Sequence, residues 1–428
     1  MKRWWLAMLV VLGLGATAAT AWLNAARERA FQQLVAAGED AIARDDLGVA
    51  IEAFSGAIAL KPDSMLAHLR RGETYRRSGD LRAALRDLRE AARLDPAATH
   101  PLEQLGDVLA AMDRHDRAAE QYAAYLALDD RAARVLYKQA AALYRAGEPR
   151  RALEPLERAL ALSPGMSEAF YLRGLCLQSL GDEAGAREAL QRAVTLAPGT
   201  APAREALAAV LLGAGRAQPA TEQLEALAAL EPDRPERLIA LGLAYASAHR
   251  TDLAIVTLGR AAERFPDNVE VYTALGRVWL DAAAATGDRI ALGKALEALR
   301  TAALRGTSAE ALALYGRALL LAGDPSAAVR PLRDAAGTLP VHPDTLLWLS
   351  QALDATGRRR EARDALQQHV ALLGGERPPL AVLRRLGDLS ERIGDRTAAL
   401  RWFREAAAVA PDSAALAARI ARLEARAR

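Results

Sequence analysis

The feature that most limits the fold of this chain is a pattern that recurs every 34 residues. It is clearest in Ser167–Thr200, and its copies are found along most of the sequence. A fixed period of this length is typical of solenoids, in which each repeat is one small structural unit. The repeats open at Phe31, Met65, Thr99, Ala133, Ser167, Ala201, Pro235 and Val269, and then, after irregular spacings, at Ala309, Pro343 and Leu380.

Each repeat predicts two amphipathic helices joined by a tight turn. In the repeat at Ser167, apolar residues recur at spacings of three and four, the turn is Gly181-Asp182, and Pro198 ends the second helix. Gly174 and Ala186 are small where the two helices must approach closely. One such hairpin cannot bury its own apolar faces, so it needs its neighbours.

The composition favours the same fold. The chain is 52% apolar but only 5% aromatic, because alanine and leucine make up most of the apolar share. Both are strong helix formers, and no stretch alternates with period two for long enough to predict a strand. The sequence therefore predicts an all-α protein.

The small residue in the first helix, the alanine early in the second and the closing proline resemble the tetratricopeptide repeat (TPR) family. The resemblance covers residues 31–411. It implies a right-handed superhelical solenoid of about eleven hairpins, with the first helix of each lining a concave face. We expect the solenoid to occupy residues 24–411 and a capping helix to follow at 412–428.

Residues 1–23 predict a membrane anchor. Trp4–Leu23 is twenty residues without a charge, which is long enough to span a bilayer, and tryptophans lie at both of its ends. The alternative is a signal peptide cleaved after Ala19-Thr20-Ala21. The anchor predicts an inner-membrane protein with periplasmic repeats, the signal peptide predicts a soluble periplasmic protein, and a reversed anchor predicts repeats that face the cytoplasm.

The sequence offers little for catalysis or cofactor binding. The six histidines are scattered without metal-ligand spacing, and no phosphate-binding or nucleophile motif occurs. The 56 basic residues are spread over every hairpin and nearly balanced by 53 acidic ones, which argues against a nucleic-acid partner. We therefore expect no enzyme, no cofactor and no metal.

The resemblance implies that binding residues lie at fixed positions on the first helices. These positions predict a groove that is acidic near its start, then apolar and aromatic, then more basic. The candidates are Glu39, Glu73, Glu103 and Asp107, then Tyr137, Tyr144, Tyr171, Leu175, Ile239 and Leu243, then Arg277 and Arg317.

Such a groove predicts a scaffold that captures a peptide or helix of a protein partner within an envelope assembly, export or biogenesis complex. Two alternatives stay open. One is an accessory protein of exopolysaccharide or lipid-glycan secretion, for which acidic and aromatic groups would line the groove. The other is the regulatory subunit of a separate enzyme.

Overall fold

A computed structural model of the chain describes the backbone of residues 2–306, 308–374 and 376–425, and their side chains from Thr20 onward. These residues form 23 α-helices and no strand, so the all-α prediction is confirmed. The first helices of the hairpins are α1 (Lys2–Ala43), α3 (Met65–Ser78), α5 (Thr99–Ala111), α7 (Ala133–Arg145), α9 (Ser167–Ser179), α11 (Ala201–Gly213), α13 (Pro235–Ser247), α15 (Val269–Thr286), α17 (Ala309–Leu321), α19 (Pro343–Ala355) and α21 (Leu380–Ile393). The second helices are α2 (Leu47–Leu60), α4 (Leu81–Leu94), α6 (His115–Leu128), α8 (Pro149–Leu162), α10 (Glu183–Leu196), α12 (Ala217–Leu230), α14 (Thr251–Arg264), α16 (Arg289–Arg305), α18 (Pro325–Ala336), α20 (Arg359–Leu372) and α22 (Arg396–Val409), followed by α23 (Ala414–Ala425).

The predicted membrane anchor at residues 1–23, and the inner-membrane localisation that depends on it, are wrong. The segment is continuous with the first hairpin in the single helix α1, so there is one helix fewer than predicted. Its described side chains include Arg27, Glu28 and Arg29, whereas a spanning segment needs about 20 predominantly apolar residues. Within the part of the chain that the structure describes, no helix is long and apolar enough to cross a membrane. The side chains of residues 1–19 lie outside that part.

The chain divides into two compact units, residues 1–210 and 211–428. In the first unit, each helix from α1 to α10 contacts the next one along the chain. In the second unit the same holds from α12 to α23. Each unit is therefore a stack of helical hairpins whose apolar faces cover one another, which is the packing that a repeat sequence requires.

Close approach of the two helices is built into each hairpin. In the hairpin of α9 and α10, a Cβ added at Gly174 would lie 2.5 Å from Leu190 Cγ and 3.4 Å from the backbone oxygen of Ala186. Gly181, with φ of +78°, turns the chain, and the Asp182 carboxylate accepts the Gly185 N–H to cap α10. The small residues are therefore packing positions.

The hairpin of α15 and α16 contains the longest helices of the regular repeats. The insertion makes them 18 and 17 residues long, against 13 and 14 in the hairpin of α9 and α10. Gly287 ends α15 in the left-handed conformation, and the Asp288 side chain caps α16. The insertion therefore lengthens both helices by about one turn, as the sequence predicts.

The last helix, α23, packs on α22 through its apolar side. Leu416 and Leu423 are buried, and Arg419 forms ion pairs with Asp388 at 2.6 Å and Glu391 at 2.8 Å. This arrangement covers the apolar face of the last hairpin, which is what a solenoid end requires. Residues 426–428 of the predicted capping helix lie outside the described residues.

Cys176 on α9 should react slowly with thiol reagents in the folded protein. Its side chain is fully buried, and burial raises the pKa of the thiol to about 11. From an ordinary value of 9.0, the thiolate fraction at mildly alkaline pH falls roughly 100-fold. The rate of labelling by a disulfide reagent measures this, with the chain in guanidinium chloride as the control that reacts at the ordinary rate. Equal rates in the two conditions would contradict a buried thiol.

Candidate functional site

All the predicted binding residues lie on the first helices of hairpins, and these helices also meet one another. In the first unit α3 contacts α5 and α7 contacts α9, and in the second unit α13, α15, α17 and α19 form a continuous series. Side chains on this side of one repeat therefore contact side chains of the next. We call this side the inner face of each unit.

The predicted acidic residues on α1 and α3 are paired with cations of neighbouring repeats. Arg70 lies between two of them, with its Nε 2.7 Å from Glu39 and its Nη1 3.0 Å from Glu73. Glu73 is also 2.7 Å from His100 Nε2 on α5. These contacts join three successive first helices and offset the negative charge that the sequence predicts there.

The same holds one repeat further on. Lys138 Nζ on α7 lies 2.7 Å from Glu103 and 2.8 Å from Asp107 on α5. The Tyr122 hydroxyl donates a second hydrogen bond to Asp107 at 2.7 Å. The four carboxylates therefore bridge repeats, and they do not form the free acidic surface that the glycan-secretion alternative requires.

The structure brings three predicted tyrosines together on α7 and α9. Tyr137 and Tyr144 are seven residues apart, which places them on one side of α7, and both pack against the buried core of the first unit. Burial raises the pKa of the Tyr137 hydroxyl. It also raises that of Tyr171, with smaller contributions from the nearby Tyr144, Glu205 and Tyr137. Leu175 lies one turn beyond Tyr171 on α9. We call Tyr137, Tyr144, Tyr171 and Leu175 the tyrosine face.

The side chains of the tyrosine face are half-buried, so each has part of its surface on the core and part open to solvent. No protein hydrogen bond contributes to the pKa of Tyr137 or Tyr171. Their rings are held by packing while their hydroxyls remain able to bind a ligand. Rigid aromatic rings with a polar tip are typical of protein-binding surfaces.

The remaining apolar candidates lie in the second unit. Ile239 and Leu243 are one turn apart on α13 and are half-buried, next to the buried Leu241 and Gly242. They present a small apolar surface on this helix.

The predicted basic residues Arg277 and Arg317 line a cavity of about 590 Å³ on the inner face of the second unit. Arg277 on α15 pairs with Glu310 on α17, and Arg317 on α17 pairs with Asp281 on α15 at 3.2 Å. Trp348 on α19 forms part of the wall. We call this the α15–α19 cavity; the sequence indicates its two arginines but neither their partners nor the tryptophan.

Metal binding was tested separately. Among the described residues, no group of three or more His, Cys, Asp or Glu side chains lies close enough to hold a metal ion. The polar groups described above are instead engaged with one another, between repeats.

Comparisons with known proteins indicate the same repeat. A family profile described as tetratricopeptide repeat matches residues 35–99, 103–165 and 137–201. The small glutamine-rich tetratricopeptide repeat-containing protein 2 of Mycosarcoma maydis is 33% identical over 91 residues, which are 21% of this chain and 26% of the relative. The chain therefore spans about a quarter of the length of this curated relative.

Two solved structures are also similar. One is YrrB, described as a TPR protein with an unusual peptide-binding site, at 22% identity over 44% of this chain and 97% of that one, with a TM-score of 0.39. The other is a tetratricopeptide repeat protein from Parabacteroides merdae, at 15% identity over 58% of this chain and 99% of that one, with a TM-score of 0.44.

Proposed function

We propose, because this chain belongs to the tetratricopeptide repeat family, that it is a non-enzymatic scaffold that captures an apolar peptide or helix of a protein partner on its tyrosine face. Three tyrosines meet there on two successive first helices, half-buried and with hydroxyls available to a ligand. This observation carries the proposal.

The chemistry of the tyrosine face suits an apolar segment. A half-buried ring loses little conformational freedom when a ligand covers it, so most of the energy of burying its remaining surface is available for binding. Leu175 adds an aliphatic contact one turn from Tyr171. The available hydroxyls can bind the backbone or polar side chains of the segment. A peptide or an amphipathic helix presents this combination of groups.

Replacing both Tyr137 and Tyr171 by alanine should weaken partner capture by about 30-fold or more, because central aromatic anchors contribute about 2 kcal/mol or more to binding. The full chain is immobilised, partners are captured from extract of the native organism, and the recovered proteins are quantified by mass spectrometry. Thermal unfolding, followed by circular dichroism, must be unchanged in the variant.

The matched control is the pair Tyr272→Ala and Tyr315→Ala. These tyrosines are also half-buried on first helices, but they lie in the second unit. Partners that bind the tyrosine face are lost from the first variant and kept by the control. Recovery of the same proteins, in the same amounts, by wild type and the Tyr137/Tyr171 variant would refute the proposal.

A further inference from the structure

The α15–α19 cavity has the size and the lining of a binding site. Its volume of about 590 Å³ falls in the range of about 300–1,000 Å³ that is usual for ligand pockets. Ala309, Leu314, Pro340 and Trp348 contribute apolar surface to it. An apolar interior of this size favours an apolar group as the occupant.

The charged groups of the cavity form two balanced pairs. Arg277 pairs with Glu310, and Arg317 Nη1 lies 3.2 Å from Asp281 Oδ1. All four side chains are between one third and three fifths exposed, so they stand at the mouth of the cavity. A charged ligand would have to break one of these pairs to find a partner. The mouth therefore selects against a net charge while offering donors and acceptors to a peptide backbone.

The wall of the cavity is held in place from two sides. The Arg317 guanidinium lies over the Trp348 ring at 5.4 Å, which fixes both groups through a cation–π contact. Asp281, which pairs with Arg317, is the thirteenth residue of α15, the position at which the shorter first helices such as α7 end. Because the insertion lengthens α15, Asp281 lies inside the helix and its backbone is fixed.

The apolar surface continues outside the cavity. Leu339 precedes the lining residue Pro340 and is 86% exposed, more than any other large apolar side chain in the described residues. A small molecule confined to the cavity would leave Leu339 in water. A peptide chain can fill the cavity with one side chain and cover Leu339 with another.

We propose that the α15–α19 cavity binds a bulky, uncharged apolar side chain, such as phenylalanine or leucine, of a partner peptide. The paired charges at the mouth bind the peptide backbone on either side of that residue. The site lies in the second unit and does not depend on the tyrosine face.

The test uses the full chain and five capped pentapeptides, acetyl-Gly-Ser-X-Ser-Gly-amide, in which X is Phe, Leu, Gly, Asp or Arg. Binding is followed by the indole N–H NMR signal of Trp348, which is assigned from its loss in Trp348→Phe. The Phe and Leu peptides should bind at least tenfold more tightly than the Gly peptide, because a fully buried apolar side chain contributes that much. The Asp and Arg peptides should bind no more tightly than the Gly peptide.

Ala309→Leu fills the cavity from the first residue of α17 and should weaken binding of the Phe peptide at least tenfold. Ala133→Leu is the matched control, since Ala133 is the half-buried first residue of α7 in the other unit. The Tyr137/Tyr171 variant should leave this titration unchanged, so the inference and the proposed function can fail separately. Tightest binding by the Asp peptide, unchanged binding in Ala309→Leu, or no shift with any peptide at millimolar concentration would each overturn the inference.

Discussion

Replacing Asp87 by alanine should lower the free energy of unfolding by about 3 kcal/mol, because it leaves a largely buried guanidinium without its counter-ion. Asp87 on α4 is 7% exposed and accepts two hydrogen bonds from Arg71 on α3, at 2.7 and 2.8 Å. This bidentate contact raises the pKa of Arg71, which therefore stays charged in the variant. Chemical denaturation of the full chain measures the loss.

The Asp87 effect should depend on its surroundings as well as on the ion pair. Arg71 also donates to Ser55 Oγ on α2 at 3.0 Å, so the network joins the first two repeats. Glu154→Ala, which breaks an exposed pair with Arg158 on the surface of α8, should change stability by less than about 1 kcal/mol. The double variant Arg71→Met, Asp87→Leu should recover most of the loss, because it removes both charges. A loss in Asp87→Ala no larger than in Glu154→Ala would contradict this account.

The hairpin architecture could be predicted because its signals are local and repeated. A small residue facing a large apolar one, such as Gly174 and Leu190, is fixed by packing that recurs in every hairpin. From the second repeat onward, the first helices begin at the residues that open the sequence repeats. Repetition makes a weak local signal strong, since each copy is an independent observation.

The end of the apolar N-terminal segment could not be predicted, because no residue there stops a helix. Asn24 to Ala30 contains neither proline nor glycine, so α1 continues into the first hairpin. Hydropathy identifies an apolar stretch, but the continuity of a helix depends on where its stop signals lie.

The pairing of charges between repeats was missed because each partner is in a different copy of the repeat. Glu39 and Arg70, and likewise Asp107 and Lys138, are both 31 residues apart. An opposite charge at that separation is a signal that the sequence does contain. It arises because the period of 34, less about one helical turn, brings the two side chains to the same height on adjacent first helices.

The two candidate sites differ in how far the sequence could indicate them. Tyr137 and Tyr171 occupy equivalent positions in successive repeats, so their proximity follows from the period. The α15–α19 cavity instead needs three first helices and the segment at Leu339-Pro340, and its spacing is interrupted by the insertion. The sequence therefore indicated Arg277 and Arg317 but not Trp348.

Replacing Gly316 by valine should lower the free energy of unfolding by about 3 kcal/mol, at the upper end of the usual cost of overpacking a core. A Cβ at Gly316 on α17 would lie 2.3 Å from Leu332 Cγ on α18. Leu332 is fully buried and cannot turn into solvent, so either its rotamer or the distance between the two helices must change. Chemical denaturation of the full chain measures the change.

The cost at Gly316 should come from this contact and not from helix propensity. Gly293→Val is the matched control, because Gly293 is also inside a helix but a Cβ there meets nothing within 4 Å. It should change stability by less than about 0.5 kcal/mol. In a Leu332→Ala background, which opens space opposite Gly316, the same valine should cost much less, since the two changes share one volume. Equal costs with and without Leu332 would show that α17 and α18 do not approach as closely as the glycine requires.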